Sequence, residues 1–437
     1  MNQRLNIQTV TPLSVGTGEE MSPITDFFIE DNKVHYINKE VFDNHLVDND
    51  DLMTLYTSEI ISGVNESFTR SNFDLHRFIK NKMLLSNAEV VEDSYPIYGV
   101  RQKDKRQIKT LVSNGHYPYI PGSSLKGAFK TALLYDWLQN DTFGQKEILS
   151  IVPSITRLHT KLSDLLDDVE SFSKELKDAR KNRVNRQTQN EIKRDLRNAT
   201  RKLRGEIRPL EYQIDDAIKK MFGDIRKSKR ERMDFSLFRI ADSTPCSNDH
   251  LAVYNTERLS IKKGTLSVPV VYEAIVPDVF FTADLQLLPE FKHSYLRFLN
   301  QADAVTVLFE KINEFALDFL EFETQLLDDL SDKIQQSSRN DKPIYIKYYN
   351  GLNDVFDRVE AAKDTGFLCL GGGKSYWLNS MGLAIYKKDK TAFSQFVRLF
   401  QLGEPDQTYF PITRTITTGN SANFQNQSLG WIQLNKS

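Results

Sequence analysis

At 437 residues, 40% hydrophobic and 27% charged, the chain is long enough for two or three domains and has the composition of an ordinary soluble globular protein. Its 57 basic and 59 acidic residues nearly cancel, so affinity for nucleic acid has to come from local clusters and not from net charge. The only cysteines, Cys246 and Cys369, exclude a disulfide framework and a four-cysteine zinc site. No signal peptide follows Met1 and no apolar run nears the ~18–20 residues of a membrane span, so a reducing cytoplasm without membrane contact is expected.

In chain order, residues 4–40 read as strands. Leu5-Asn6-Ile7-Gln8-Thr9-Val10 alternates with a period of two, and residues 27–37 are expected to form a hairpin turning at Asp31-Asn32. Residues 39–86 read as mostly helical, and a basic loop over 99–109 follows. A strand at 108–112 then precedes a helix over 124–139, where Leu125, Ala128, Phe129, Ala132, Leu133 and Trp137 recur at helical spacing. This order is compatible with the βαββαβ arrangement of a ferredoxin-like domain, assigned to residues 1–154.

The start of that helix, Ile120-Pro121-Gly122-Ser123-Ser124-Leu125-Lys126-Gly127-Ala128-Phe129-Lys130, is the most informative stretch. Pro-Gly builds a turn, and Ser123 or Ser124 is placed to cap the helix. Lys126 and Lys130 fall one turn apart beside the helix N-terminus. Free amides, hydroxyls and two ammonium groups on one short element suit a phosphate.

Residues 155–221 follow another pattern. Leu158, Leu162, Leu165, Val169, Phe172, Leu176 and Ala179 repeat at four and three, a heptad seam. Ile192, Leu196, Ala199, Leu203, Ile207, Leu210, Ile214 and Ala217 continue after a polar turn. The spacing predicts an inserted, self-supporting antiparallel helical hairpin, with Gly205 and Pro209 bending or breaking its second helix. Residues 174–204 hold 12 Lys/Arg against 4 Asp/Glu, so the tip is either a solvated basic surface or an arm for RNA or a neighbouring subunit.

Residues 222–437 read as a second α+β region. Strands at 266–276 and 279–287 are expected to pair around Pro277-Asp278, helices to fill 291–338, and a polar loop over 415–428 to precede a last strand at 430–434. A P-loop is not expected: Gly122 and Gly127 are followed by Ala128-Phe129, and Gly373-Lys374-Ser375 lacks its partner glycine at Leu368. Gly371, Gly372 and Gly373 with Lys374 suit either a phosphate cradle or an ordinary tight turn. Five cations between Arg101 and Lys109, next to Tyr95 and Tyr98, suit single-stranded RNA. No HxxxH, HExxH or paired-carboxylate metal motif occurs.

The segment 120–130 resembles the signature of RAMP proteins, the RRM-like RNA-binding subunits of CRISPR effector complexes. Further pieces resemble the family in the same order. These are the glycine turn Val15-Gly16-Thr17-Gly18-Glu19, then Phe222-Gly223-Asp224 followed by Phe238-Arg239-Ile240-Ala241-Asp242-Ser243, and the glycine-rich Leu370-Gly371-Gly372-Gly373-Lys374. Pro411-Ile412-Thr413-Arg414 and Leu429-Gly430-Trp431 fit the family's tail. The ordered set is similar to the fifth-subunit group of type III-A (Csm) complexes, across most of the chain except about 155–220 and 290–340.

The resemblance implies an α+β fold: a modified ferredoxin-like (RRM-like) RAMP domain at 1–154, an inserted helical hairpin at 155–221, and a degenerate second α+β domain at 222–437 with its helical segment at 291–338. It implies a non-catalytic subunit that binds crRNA, caps the backbone filament at the crRNA 3′ end, and supports crRNA maturation and antiviral defence. The implied partners are crRNA and the neighbouring RAMP backbone subunit, with target RNA and maturation nucleases as further ones; no cofactor or metal is implied. The RNA-binding set is Gly16, Thr17, Gly18, Arg101, Lys103, Lys105, Arg106, Ser123, Ser124, Lys126, Lys130, Gly371, Gly372, Gly373, Lys374 and Arg414. His35 and His45 stand roughly where RAMP ribonucleases carry a general base, and Asp26 near the place of the cleaving aspartate of backbone subunits, without its glycine-isoleucine lead-in. The alternatives are a RAMP endoribonuclease processing precursor crRNA and a subunit of a type III-B complex.

Overall fold

Leu5 and Ile7, the first alternating apolar positions, are fully buried in strand β1 (Asn2–Thr9), near the centre of a five-stranded sheet. The computed structural model describes residues 2–63, 73–101, 104–115, 117–222, 234–261, 265–288, 291–335, 342–403, 410–418 and 428–437. It is a mixed α+β fold of two main sheets with helices.

After β1 come β2 (Gly16–Met21), β3 (Phe27–Glu30) and β4 (Lys33–Ile37), then α1 (Lys39–Val47), α2 (Asp50–Gly63), α3 (Leu75–Phe78) and α4 (Asn87–Val90). Strands β5 (Val91–Tyr98), β6 (Ile108–Leu111), β7 (Ser113–Asn114) and β8 (Tyr117–Pro118) lead to helices α5 (Gly122–Asn140), α6 (Thr142–Lys161), α7 (Ser163–Lys181) and α8 (Arg186–Met221). Then follow β9 (Phe238–Ile240), β10 (Leu251–Ser260), β11 (Thr265–Ile275), β12 (Phe280–Leu287), α9 (Ala304–Gln335), α10 (Lys342–Glu360) and β13 (Thr365–Cys369). Helices α11 (Gly382–Lys388) and α12 (Lys390–Leu399) and strands β14 (Thr413–Thr417) and β15 (Trp431–Lys436) close the chain.

The first sheet runs β13-β15-β1-β12-β9, and the second runs β2-β6-β11-β10-β5-β4-β3 with β14 added on β10. The expected hairpin forms β3 and β4, with Asp31 and Asn32 both at positive φ (48° and 58°), the conformation a tight two-residue turn needs. Strands 266–276 and 279–287 form, but they do not pair. The first, β11, joins the second sheet, while β12 crosses to pair with β1 in the first. Thr9 holds the crossing, donating its hydroxyl to the Val276 carbonyl (2.8 Å) and accepting from the Val279 amide (2.9 Å).

Both sheets take strands from both sides of the insertion. The boundaries at 154 and 221 therefore mark stretches of sequence and do not separate sheets, a correction to the consecutive division. Across the first sheet, α5 and α9 pack together, and the buried Asp136 carboxylate links them by accepting from Tyr295 Oη (2.6 Å) and Lys311 Nζ (2.7 Å).

The heptad seam is divided between two helices, because α6 ends at Lys161 and α7 begins after Leu162. Helix α8 runs through Gly205 and Pro209 without a break, since both lie on its exposed face where water can meet the unpaired carbonyl. Nor is the pair self-supporting along its whole length. Leu162, Leu166, Val169, Leu203, Ile207 and Leu210 belong to the main core, and only Leu176, Ala179 and Ile192 form a separate cluster at the tip. Among the described residues no helix is long and apolar enough to cross a membrane.

Candidate nucleic-acid interface

Helix α5 begins at Gly122, and neither Ser123 nor Ser124 caps it. Its first amide, that of Gly122, donates to Asp242 Oδ1 at 2.8 Å. Ser243 reinforces the junction: its Oγ accepts from the Ile120 amide (2.9 Å), and its own amide donates to the Ile120 carbonyl (3.0 Å). The two motifs thus meet 120 residues apart in sequence. A side chain at 122 would run into the backbone of Ile240 and Ala241, so glycine is required by close approach. A carboxylate already sits at the helix N-terminus, which corrects the expectation of free amides there.

One turn further on, the lysines gain a different setting. Lys126 Nζ lies 5.2 Å from the centre of the Phe235 ring, and Lys130 Nζ lies 4.6 Å from that of Phe222. With Ser123, Gly127, Ile218, Lys219 and Ser236 they line an open cleft of about 410 Å³. Among the described residues neither lysine pairs with a carboxylate. Burial, helped by nearby Arg239 and Lys130, lowers the pKa of the Lys126 ammonium, so this group gains from an incoming anion. Phe235 and Lys219 were missed by sequence reasoning, and Arg239 was noticed only within a motif. Phe222 was noticed only within a motif, because nothing local shows that its ring meets Lys130.

Gly16, Thr17 and Gly18 lie on β2, the exposed edge of the second sheet, with Thr17 Oγ1 2.7 Å from Thr110 Oγ1. Arg101 is exposed nearby in sequence to β5, whereas Lys103 lies outside the described residues. Lys105 donates to the Phe73 carbonyl, and Arg106 is held by Asp104 and by Asn255 Oδ1 (2.8 Å). These two cations are committed to partners within the protein, tying the loop to Phe73 and to Asn255 on β10. Strand register adds a row that no linear pattern showed: Tyr98, Tyr254, Tyr272 and Lys109 stand side by side across β5, β10, β11 and β6. The Tyr98 and Tyr254 rings are 5.0 Å apart, and Lys109 Nζ lies 5.6 Å from the Tyr272 ring centre.

The glycine-rich turn faces inward. Gly371, at φ +64°, presses on the Ser14 carbonyl, and Gly373 presses on Leu429. The Gly372 amide donates to Ser14 O (2.8 Å) and the Lys374 amide to Gly371 O (3.2 Å), so these two amides of the expected cradle bond to the protein itself. Lys374 lines a second cavity, separate from the α5 cleft. Arg414 is also interior, at 3% exposure, and its guanidinium forms an ion pair with the Glu323 carboxylate.

The candidate catalytic side chains are engaged too. Asp26 accepts from the Ser22 amide (2.7 Å) and Thr25 Oγ1 (3.0 Å) and pairs with Lys39 (2.5 Å). His35 bonds Ser94 Oγ through Nδ1 (2.8 Å) and stacks on Phe28, with desolvation lowering its pKa. His45 Nδ1 lies 3.2 Å from the Val41 carbonyl on exposed α1. Among the described residues no cluster of three His, Cys, Asp or Glu side chains converges as a metal site.

The strand-edge glycine turn, the helix start clamped by a distant Asp-Ser pair and the glycine-rich turn are the pieces on which the resemblance to RAMP proteins rests, and the structure places them in one mixed α+β fold. The chain belongs to the RAMP superfamily, whose family model matches residues 6–376. It resembles Csm5 of the type III-A CRISPR Csm complex. Over 171 residues it is 29% identical to the CRISPR system protein Csm5 of Methanocaldococcus jannaschii, a match covering 38% of each chain. The chain therefore spans well under half the length of that curated relative. In fold it is similar to a chain of the cryo-EM Csm–crRNA–target RNA ternary complex of a type III-A system (TM-score 0.61, 21% identity, 99% of this chain and 100% of that one). It is also similar to the crystal structure of T. onnurineus Csm5 (TM-score 0.55, 18% identity, 98% and 99% covered).

Proposed function

We propose that the chain is a crRNA-binding subunit of a type III-A effector that caps the backbone filament at the crRNA 3′ end and supports crRNA maturation and antiviral defence. The observation that carries this reading is the α5 cleft, where Lys126 and Lys130 stand over two aromatic rings without a carboxylate partner among the described residues. Cations held over buried rings at one open cleft suit the phosphates of a single strand, bound without reading sequence; Phe222 and Phe235 are buried and position the lysines. Gly16, Thr17, Gly18 and Arg101, beside the tyrosine row, supply a second contact region. Its proposed partners are crRNA and a neighbouring RAMP subunit, with target RNA and nucleases reached through the assembly.

The first sheet is read as the modified ferredoxin-like unit: β9-β12-β1-β15 are neighbours in that order, α5 lies between β1 and β9, and α9 follows β12. The second sheet is read as the degenerate partner. The subunit acts by holding RNA and not by cutting it, a reading supported by the internal partners of Asp26 and His35. Titrating single-stranded RNA across ~50–200 mM salt tests the binding, because released counterions make affinity fall steadily with salt. Affinity indifferent to salt, or metal-independent cleavage of a repeat RNA lost in His35→Ala or His45→Ala, would count against it.

A further inference from the structure

Behind the glycine-rich turn lies a cavity of about 200 Å³, which shares no residue with the α5 cleft. Lys374 and Ser375 enter it from the turn, Arg258 from β10, Thr413 and Thr415 from β14, and Ser428 from just ahead of β15. Arg414, also in the wall, is balanced by Glu323. Lys374 and Arg258 have no carboxylate partner among the described residues, so the wall carries excess positive charge. Ser428 is only 7% exposed, and neither its buried Oγ nor that of Ser375 makes a hydrogen bond among the described residues.

Each of these features is unfavourable alone. A buried hydroxyl without a partner forfeits its hydration, and a half-buried ammonium without a counter-ion is poorly solvated. Burial accordingly lowers the pKa of Lys374. One ligand satisfies all of them: an oxyanion accepts from both hydroxyls and neutralises the ammonium. We propose that this cavity binds a single phosphate group, held by Lys374, Ser375 and Ser428, with Arg258 at its mouth. The group comes either from free orthophosphate or from the end of an RNA strand. The inference stands whether or not the α5 cleft binds crRNA.

Calorimetric titration of the full chain with inorganic phosphate tests it. The wild type should show one saturable site. Lys374→Met should weaken it by about tenfold or more, as loss of one charge-assisted hydrogen bond implies. Ser428→Ala should weaken it less. Arg258→Gln, at an exposed position on β10, should also weaken it and decides the matter should Lys374→Met fold poorly. Competition with short RNAs identifies the source: displacement of phosphate by a 3′-phosphate end but not by a 3′-hydroxyl end assigns the site to RNA ends, and displacement by neither assigns it to free phosphate. Both outcomes support the site. No saturable phosphate binding by the wild type, or binding that Arg258→Gln and the folded Lys374→Met leave unchanged, overturns it.

Discussion

Asp242 Oδ1 accepts the backbone N–H of Gly122 at 2.8 Å, so the first helical amide after the Pro-Gly turn is answered by a carboxylate from beyond the insertion. The helix carrying Lys126 and Lys130 is thereby fixed in place by Asp242 and Ser243, just beyond the end of β9, and not by its own serines. Two stretches that look like independent motifs are one piece of structure.

Asp242→Ala should therefore cost about 0.5–2 kcal/mol, the usual worth of a helix cap, while Asp242→Asn keeps an acceptor and should cost less. Gly122→Ala should be worse than either, because its Cβ meets the Ile240 carbonyl. Denaturant unfolding monitored by circular dichroism ranks the three. Equal stability of Gly122→Ala and wild type would contradict the close approach.

Lys126→Ala combined with Lys130→Ala should weaken binding of all single-stranded RNAs alike. Each lost phosphate contact should flatten the log–log salt slope by about 0.7, so the pair should flatten it by roughly 1.4. Both side chains lie over rings at a cleft wall, so the unfolding temperature should barely move. A variant that discriminates between RNA sequences would point to base reading instead.

The buried Arg414–Glu323 pair makes the opposite prediction. Arg414→Met or Glu323→Gln alone should destabilise by about 3–5 kcal/mol, since each leaves a buried group without its partner, and the double replacement should recover much of that loss. RNA affinity of the folded fraction should be unchanged. Loss of RNA binding at full stability would return Arg414 to the interface.

The insertion should tolerate trimming at its tip but not removal. Replacing residues 173–198 with a short Gly/Ser linker takes away Leu176, Ala179 and Ile192, which cluster only with each other and Leu196, and should leave a cooperatively unfolding protein. Replacing 160–218 strips Leu162, Leu166, Leu203, Ile207 and Leu210 from the main core and should yield aggregation. Light scattering and thermal unfolding distinguish the two. Good behaviour of the longer deletion would show that the hairpin stands alone.

Period and turn chemistry were enough to place β1, the β3–β4 hairpin, α5, the paired helices and β15, because those signals act within a few residues. The IPGSSLKGA segment, with its ordered companions, was enough to point to the RAMP superfamily. Which strand joined which sheet was not legible. Residues 266–276 and 279–287 looked like a hairpin, yet β1, from the other end of the chain, takes the partner edge of β12. The direction of the cations was equally hidden: Lys126 and Lys130 face an open cleft, while Lys374 and Arg414 turn inward, the latter to a carboxylate 91 residues away. Sequence alone determined the elements just named and pointed to the family, since both rest on local residue order; β14 (Thr413–Thr417), which overlaps the stretch expected to be a loop, forms by pairing with β10. Tertiary structure alone decided which charges remain available to a ligand, because burial and pairing depend on residues that only folding brings within a few ångströms.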